Sequence, residues 1–250
     1  MSHSRYQLPF IRDQDLFLHV KNTVEKYRFS TDLKSFTHNL IDPIKLTFDS
    51  HIYQLEPQSV IKNEILRQID KSNTNHIGYF HQNIFPYFDN AWQIPQKGFD
   101  LIHQQKHIYV EIKNKHNTMN SASSQKTYKS MQETILQDDQ AICYLVEVIS
   151  RKSQDTPWVI SLDGKQHRHN RIRRISMDQF YAIVTGYSYA FYQLCQQIPR
   201  VLQDVLQLDP ESDKLLSMEL NQSIDIKDLY HLSFHHYLGF ERDLFQGDLS

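Results

Sequence analysis

The stretch GFDLIHQQKHIYVEIKN, residues 98–114, is the part of the sequence that decides how this chain is expected to fold. It contains two strand-like runs of β-branched and other apolar residues, separated by the polar residues Gln104, Gln105 and Lys106. This pattern predicts a β-hairpin. The turn lacks the Asn-Gly or Asp-Gly pair that fixes the register of a tight hairpin, so the register of the two strands stays open.

A helix is predicted on each side of this hairpin. Before it, Ile61, Ile65 and Ile69 recur every four residues within SVIKNEILRQID, which is typical of an amphipathic helix. After it, Ser124 is placed to cap a second helix. The hairpin is therefore expected to lie between two helices.

Further strands and helices are predicted in the second half of the chain. AICYLVEVI, residues 141–149, is almost continuously apolar, which favours a central strand covered on both faces, with residues 158–162 as its neighbour. Ser176 and Gln179 form a capping-box pattern for a helix that ends near Gly186, and a longer helix follows. This order predicts an α/β fold with a mixed central sheet flanked by helices.

The length of 250 residues fits one large domain, and no internal repeat or long linker divides the chain. We expect a single domain, with a core at about residues 55–175, N-terminal helices in residues 1–54 and a mainly helical C-terminal part at about residues 176–250.

Composition limits the class of protein. Hydrophobic residues make up 40% and aromatic residues 12% of the chain, which indicates a folded protein. The two cysteines, Cys143 and Cys195, lie in apolar stretches, so a disulfide framework is not expected. No leader pattern or long apolar segment is visible, and we expect a cytoplasmic protein without a membrane partner.

Charge is distributed unevenly. The net charge of −2 argues against a nucleic-acid partner, but KQHRHNRIRR, residues 165–174, carries five Lys or Arg and no acid. Residues 201–250 carry ten acids and three bases. One interpretation is a solvated basic loop beside an acidic helical surface, and the other is a surface that contacts nucleic acid.

Asp100, Glu111 and Lys113 form the pattern that points to chemistry. On a strand, Glu111 and Lys113 share one face and Ile112 lies on the other. If the hairpin forms, Asp100 comes from the partner strand and approaches Glu111, so that two carboxylates could hold a hard divalent cation. The Lys113 ammonium could then orient water and offset negative charge on a phosphate. Glu64, on the preceding helix, is a further candidate for the catalytic group.

The acid-x-Lys spacing recurs elsewhere in the chain, because Asp32 with Lys34 and Asp225 with Lys227 also match it. Only the Glu111 copy lies on an alternating strand behind a hairpin partner. The alternative interpretation of this copy is an ion-pair ladder on the protein surface.

Longer motifs resemble a known family. GFDLI, YVEIKNKHNTMNSASSQKTYKSMQ, CYLVEVI and RIRRIS, together with NEILRQIDKSNTNHIGYFHQNIF, resemble type II restriction endonucleases of the GGNCC-cutting group. The likeness spans roughly residues 55–205. The acidic residues and lysine resemble the catalytic residues of the PD-(D/E)xK nuclease superfamily. Phe99 stands where that superfamily has proline, which is tolerable because the carboxylate binds the metal.

The resemblance implies an activity and its partners. It implies a PD-(D/E)xK core that hydrolyses double-stranded DNA at a short GGNCC-like site with Mg²⁺, and a homodimer in which each subunit cuts one strand. A cognate DNA methyltransferase is expected in the same cell, without direct contact. Ile112 is counted with Asp100 and Glu111 as a metal-ligand position.

Candidate DNA contacts follow the predicted catalytic strand and lie in the basic segment. Arginine matches the O6 and N7 atoms of guanine in the major groove, and polar groups suit phosphates. The candidates are Asn114, Lys115, His116, Asn117, Asn120, Ser121, Gln125, Lys126, Arg171, Arg173 and Arg174.

Two other functions stay open at this point. The same fold could serve a repair or junction nuclease that recognises DNA shape, or a non-catalytic DNA-binding module whose charged hairpin is an ion-pair ladder.

Overall fold

A computed structural model describes residues 5–39, 41–116, 119–162 and 164–207 of the protein. The chain divides into two units. The described part of the first comprises residues 5–25 and 76–207, and that of the second comprises residues 26–75. The prediction of a single domain with three parts stays a prediction. Residues 208–250 of the predicted C-terminal part lie outside the described residues.

The first unit is built on a mixed sheet. Its strands are β1 (Trp92–Gln93), β2 (Leu101–His103), β3 (Ile108–Lys115), β4 (Ile142–Ile149), β5 (Asp155–Leu162) and β6 (Lys165–Ser176). They are arranged in the order β1-β2-β3-β4-β6-β5. Strands β3, β4 and β6 run parallel, and the other neighbours pair antiparallel. The predicted α/β fold with a mixed sheet is confirmed.

The described residues contain eight α-helices. They are α1 (Asp13–Val24), α2 (Leu33–His38), α3 (Pro43–Tyr53), α4 (Pro57–Asn83), α5 (Phe85–Phe88), α6 (Ser121–Gln137), α7 (Met177–Thr185) and α8 (Ala190–Gln207). Helix α4 begins in the second unit and ends in the first. None of the helices in the described ranges is both long and apolar enough to cross a membrane.

The predicted hairpin is formed by β2 and β3, which pair antiparallel with Leu101 opposite Val110. Its turn is a short 3₁₀ helix, Gln104–Lys106, followed by His107 in the left-handed region with φ 53°. This local geometry explains how the chain turns without an Asn-Gly or Asp-Gly pair: a histidine tolerates the left-handed conformation that glycine usually supplies.

Apolar residues on both faces of the sheet hold the first unit together. Cys143 and Leu145 of β4 pack in a cluster with helix α6, whereas Tyr144 and Val146 pack in the cluster that contains helices α1, α7 and α8. All four side chains are buried. Strand β4 is therefore covered on both faces, as its almost continuous apolar sequence predicts.

The neighbour predicted for β4 is wrong. Residues 158–162 lie in β5 at the edge of the sheet, and β6 lies between β5 and β4. The interpretation of residues 165–174 as a basic loop is also wrong, because they form most of β6. The sequence did not indicate this strand because it contains few apolar residues. Ile172 and Ile175 are buried in the two clusters, and the other residues of β6 are charged or polar.

The two helices predicted to begin near Ser124 and Ser176 are both present, but the capping hydrogen bonds predicted for them are not formed. Helix α6 begins earlier than predicted, with Asn120 as its N-cap and Ser124 inside its first turn. Helix α7 follows Ser176 and ends before Gly186, as predicted. The capping box is wrong, however, because the Gln179 amide donates to the Ser153 hydroxyl and the Ser176 hydroxyl bonds with Gln154.

The second unit has its own apolar cluster. Phe36 of α2 and Leu46 of α3 pack there with Ile61, Ile65 and Ile69 of α4. The four-residue recurrence of these isoleucines places them on one face of the helix, so the predicted amphipathic helix is confirmed.

Arg171 stabilises the connection between α6 and β4 through hydrogen bonds to backbone carbonyl groups. Its Nη1 donates to the carbonyl oxygens of Asp138, Asp139 and Ala141 at 3.2, 2.6 and 3.2 Å, and its Nη2 donates to that of Ile135 at 3.4 Å. Carbonyl groups at the end of a helix have no partner within the helix. Arg171 therefore supplies donors that the end of α6 and the following turn require.

Replacing Arg171 by alanine is expected to lower the free energy of unfolding by about 1.5–3 kcal/mol, the range for hydrogen bonds to a charged group. Urea unfolding measures this change. Arg168→Ala is the matched control, since Arg168 is exposed on the same strand and its loss should change stability by less than about 0.5 kcal/mol. Equal stabilities of the two variants would contradict the structural role of Arg171.

Candidate active site

The hairpin brings Asp100 and Glu111 together. The Asp100 backbone N–H donates to the carbonyl oxygen of Val110 at 3.0 Å, which extends the pairing of β2 and β3 by one residue. Asp100 therefore lies opposite the segment that carries Glu111. The carboxylate of Asp100 also accepts the backbone N–H of Ile112 at 2.8 Å, which fixes its orientation toward β3.

Glu111 and Lys113 point to the same face of β3 and form an ion pair of 2.6 Å between Oε1 and Nζ. Glu111 is half-buried, and its burial raises the pKa of its carboxyl group; the hydrogen bond from Lys113 opposes this rise, and the charge of Asp100 adds to it. The structure thus brings the carboxylates of Asp100 and Glu111 and the ammonium of Lys113 close together at a partly buried position.

The acids present fit a hard divalent cation. Asp100 and Glu111 offer carboxylate oxygens, and the repulsion between them is the kind that a bound cation relieves. Ile112 can contribute only its backbone carbonyl, because its side chain packs against the apolar cluster on the opposite face. Within the described residues no cluster of three or more His, Cys, Asp or Glu could hold a metal, so this pair would need substrate or water oxygens to complete the coordination.

Gln82, at the end of α4, is a contact that the sequence did not indicate. Its amide Nε2 donates to the carbonyl oxygen of Asp100. The backbone on both sides of the Asp100 side chain is therefore held by hydrogen bonds. No signal in the sequence separates Gln82 from the other polar residues of this helix.

Glu64 belongs to the second unit, and its part in the site stays a prediction. Its side chain is buried, and its two carboxylate oxygens accept hydrogen bonds from Arg67 at 2.6 Å each. The Gln68 amide donates to it as well, at 3.0 Å. These contacts give Glu64 a structural role in helix α4.

Asp32, the acid of one decoy pattern, is the N-cap of helix α2: its carboxylate accepts the backbone N–H of Ser35 at 2.8 Å. Asp225 and Lys227 lie outside the described residues. The hairpin, and not the spacing, distinguishes Glu111 and Lys113 from Asp32 and Lys34.

The candidate DNA contacts after Glu111 continue along the chain from the site. Asn114 and Lys115 end β3, and the His116 backbone N–H donates to the carbonyl oxygen of Ile149 at 2.9 Å, so the segment stays attached to β4. Asn117 lies outside the described residues.

Four further candidates lie at the start of helix α6. Asn120 uses its side chain to cap the helix by accepting the Ser123 N–H at 2.8 Å, and Gln125 donates to the carbonyl oxygen of Ser161 at 3.2 Å. Ser121 and Lys126 are exposed. The structure thus gives the two amide side chains protein partners, whereas Ser121 and Lys126 are accessible to a ligand.

The three candidate arginines of β6 are held by protein groups. Arg171 binds backbone carbonyls as described above, and Arg173 pairs with Asp155 at 2.6 Å. Arg174 pairs with Glu147 through Nε at 2.8 Å and through Nη2. Arg174 lies on the face of the sheet that carries Glu111, because both are in register with Leu145.

Glu147 was also missed, although the sequence carries a signal for it. It is the one acid in the apolar run at residues 141–149, and it is almost completely buried, with 1% of its surface exposed. A charged side chain inside a buried strand requires hydrogen-bond or ionic partners, so the sequence alone indicates that Glu147 has such partners.

Comparison with known proteins identifies the family of the chain. The family model described as Eco47II restriction endonuclease matches residues 8–207. The type II restriction enzyme Sau96I of Staphylococcus aureus is 34% identical over 209 residues, which cover 79% of this chain and 80% of that enzyme. The type II restriction enzyme Eco47II of Escherichia coli is 28% identical over 211 residues, which cover 80% and 88% of the two chains.

These matches extend across the hairpin, the sheet and helices α6 to α8, and they favour a restriction enzyme over a shape-recognising repair nuclease or a non-catalytic module. The chain belongs to the Eco47II restriction endonuclease family, and it is a site-specific endonuclease that cleaves DNA.

Proposed function

We propose that this endonuclease hydrolyses both strands of a short GGNCC-like site by Mg²⁺-dependent chemistry at Asp100, Glu111 and Lys113. The observation that carries the proposal is the Glu111–Lys113 pair, 2.6 Å apart, on a strand whose hairpin partner brings Asp100 beside Glu111. Membership of the restriction endonuclease family supports DNA as the substrate and endonucleolytic cleavage as the reaction.

The metal is assigned to Asp100, Glu111 and the carbonyl of Ile112. Bound Mg²⁺ supplies a Lewis acid for the scissile phosphodiester. The hydrogen bond from the Ile112 N–H holds the Asp100 carboxylate toward β3, and Gln82 holds the Asp100 backbone. This arrangement fixes one ligand before DNA binds, which lowers the cost of assembling the site.

Lys113 carries the remaining chemistry. An ammonium has three N–H donors, and the hydrogen bond to Glu111 uses one. Lys113 can therefore donate to the attacking water and to a phosphate oxygen at the same time. Its positive charge offsets the negative charge that develops on the phosphate oxygens as the water attacks.

The DNA strand is proposed to run past the carboxyl ends of β3, β4 and β6, where Asn114, Lys115 and His116 follow the catalytic strand. Ligands of parallel sheets bind outside these ends. Asn117, Asn120, Ser121, Gln125, Lys126, Arg171, Arg173 and Arg174 complete the proposed contacts.

Two copies of the chain are proposed to act together, because a near-palindromic site presents the same phosphodiester environment once on each strand. A methyltransferase that modifies the same site is proposed to protect the DNA of the cell without direct contact with this enzyme, and the enzyme is proposed to act in the cytoplasm.

Asp100→Asn, Glu111→Gln and Lys113→Ala should each reduce the single-turnover cleavage rate by at least about 10²-fold, because each removes a metal ligand or a charge that stabilises the transition state. Cleavage of plasmid DNA measures the rate. Lys34→Ala is the matched control, since Lys34 belongs to the same spacing pattern without a hairpin, and its rate should equal that of the wild type. Undiminished cutting by all three variants would overturn the assignment.

Mg²⁺ should raise the melting temperature of the wild-type protein, because a ligand that binds only the folded state stabilises it. The increase should disappear in the Asp100→Asn/Glu111→Gln variant, and chelation should stop cleavage by the wild type. Calorimetry with and without Mg²⁺ measures the increase. An equal increase in both proteins would show that the ion binds elsewhere.

Digestion of DNA of known sequence should give fragments whose ends all map to GGNCC-like sites, with one cut in each strand. Sequencing of the fragment ends checks this result, and sedimentation of the protein with such a duplex should give two chains per duplex. Ends scattered over unrelated sequences would contradict the proposed site, and one chain per cleaved duplex would contradict the dimer.

A further inference from the structure

Glu147 lies beside the proposed catalytic strand without belonging to the proposed catalytic group. It is in register with Lys113 on the neighbouring parallel strand β4, so both residues face the same side of the sheet. Only 1% of Glu147 is exposed. An acid at this position is sheltered from solvent and lies next to a residue assigned to catalysis.

Both oxygens of the Glu147 carboxylate have partners. Oε1 accepts hydrogen bonds from Arg174 Nε at 2.8 Å and from Arg174 Nη2. Oε2 binds Nδ1 of His116 at 2.9 Å and accepts the Ser150 hydroxyl at 3.2 Å. One carboxylate thus joins β6, the segment after β3 and the segment after β4.

Glu147 is ionised in this arrangement. Burial by itself would raise the pKa of its carboxyl group, but the hydrogen bonds from Arg174 and His116 and their charges outweigh burial and hold the pKa below its usual range. A buried ion pair generally adds little to stability compared with apolar residues of the same shape. This pair therefore acts mainly through the geometry that it imposes on its partners.

The partners lie close to the proposed site. Glu111 is in register with Leu145, and Leu145 is in register with Arg174, so two strand spacings separate the Glu111 and Arg174 backbones. Neighbouring strands are about 4.8 Å apart, which gives about 10 Å across the sheet. His116 follows Lys113 by three residues. Both partners therefore lie near the residues assigned to catalysis.

We propose that Glu147 is a positioning residue for DNA binding, which holds His116 and Arg174 in one fixed arrangement beside Lys113 so that they contact the phosphates of the cleaved strand. The proposal rests on the proposed location of the active site. A carboxylate that binds Nδ1 of an imidazole turns Nε2 away from itself, toward a possible ligand. Fixing both side chains before DNA arrives reduces the entropy lost on binding.

The Glu147→Gln variant distinguishes a positioning role from a purely electrostatic role, because the two roles predict opposite changes in the affinity for DNA. Removing a negative charge near DNA should strengthen binding if only the local charge matters. If Glu147 positions His116 and Arg174, Glu147→Gln should instead weaken binding of a cognate duplex by about 10-fold or more, in the range for loss of a charge-assisted contact. The dependence of binding on salt should also become less steep, since phosphate contacts are lost.

Fluorescence anisotropy with a labelled GGNCC duplex, without divalent metal, measures this affinity while no DNA is cut. Asp138→Asn is the matched control: Asp138 forms the same kind of pair with His107 Nδ1, at 2.7 Å, at the amino end of β3. It should bind DNA as the wild type does. Glu147→Gln should have no further effect in a His116→Ala/Arg174→Ala background, because the groups that it positions are gone.

Wild-type or tighter binding by Glu147→Gln, in a protein that melts as a folded chain, would overturn the proposal. If Glu147→Gln does not fold, His116→Ala provides the second test, since His116 is half-buried and removing it leaves the Glu147–Arg174 pair in place. Unchanged affinity and salt dependence of His116→Ala would then overturn it. Failure of the catalytic assignment would appear separately, as cleavage by Asp100→Asn.

Discussion

The antiparallel pairing of β2 with β3 is the constraint on which the proposed site depends. The Asp100 N–H binds the Val110 carbonyl, and the Ile112 N–H binds the Asp100 carboxylate, so backbone groups of both strands fix the acid. A shift of the register by one residue would turn Glu111 and Lys113 toward the apolar cluster and Ile112 toward the site. The geometry of the proposed site and the packing of the apolar core are therefore set by the same hydrogen bonds.

Strand β4 extends this constraint to the rest of the first unit. It pairs with β3 along one edge and with β6 along the other, and the parallel direction of the three strands brings their carboxyl ends to one edge of the sheet. The polar residues at that edge, among them His116 and Arg174, then lie beside Lys113 even though they are distant in sequence. The proposed DNA-binding site therefore depends on the order of three strands and requires no excess of positive charge over the whole chain.

The three candidate arginines of β6 have different protein partners. Arg171 supplies donors to the end of helix α6, and Arg173 pairs with Asp155, so two of the basic residues of β6 have tertiary partners. Arg174 differs because its partner, Glu147, is buried next to the proposed catalytic strand. The three arginines thus differ in the protein groups that hold them, although all three are proposed DNA contacts.

The sequence by itself determined the hairpin, the buried strand β4 and the amphipathic helix α4, because each has a local pattern of apolar residues that is typical of its element. It also selected Asp100, Glu111 and Lys113 as candidates, since only this copy of the acid-x-Lys pattern lies on an alternating strand behind a predicted hairpin partner. Tertiary structure alone decided that the basic segment is strand β6 between β4 and β5, that Gln82 holds the Asp100 backbone, and that Glu147 gathers His116 and Arg174. These features depend on contacts between residues far apart in the chain, and no local pattern records which distant strand will supply the partner.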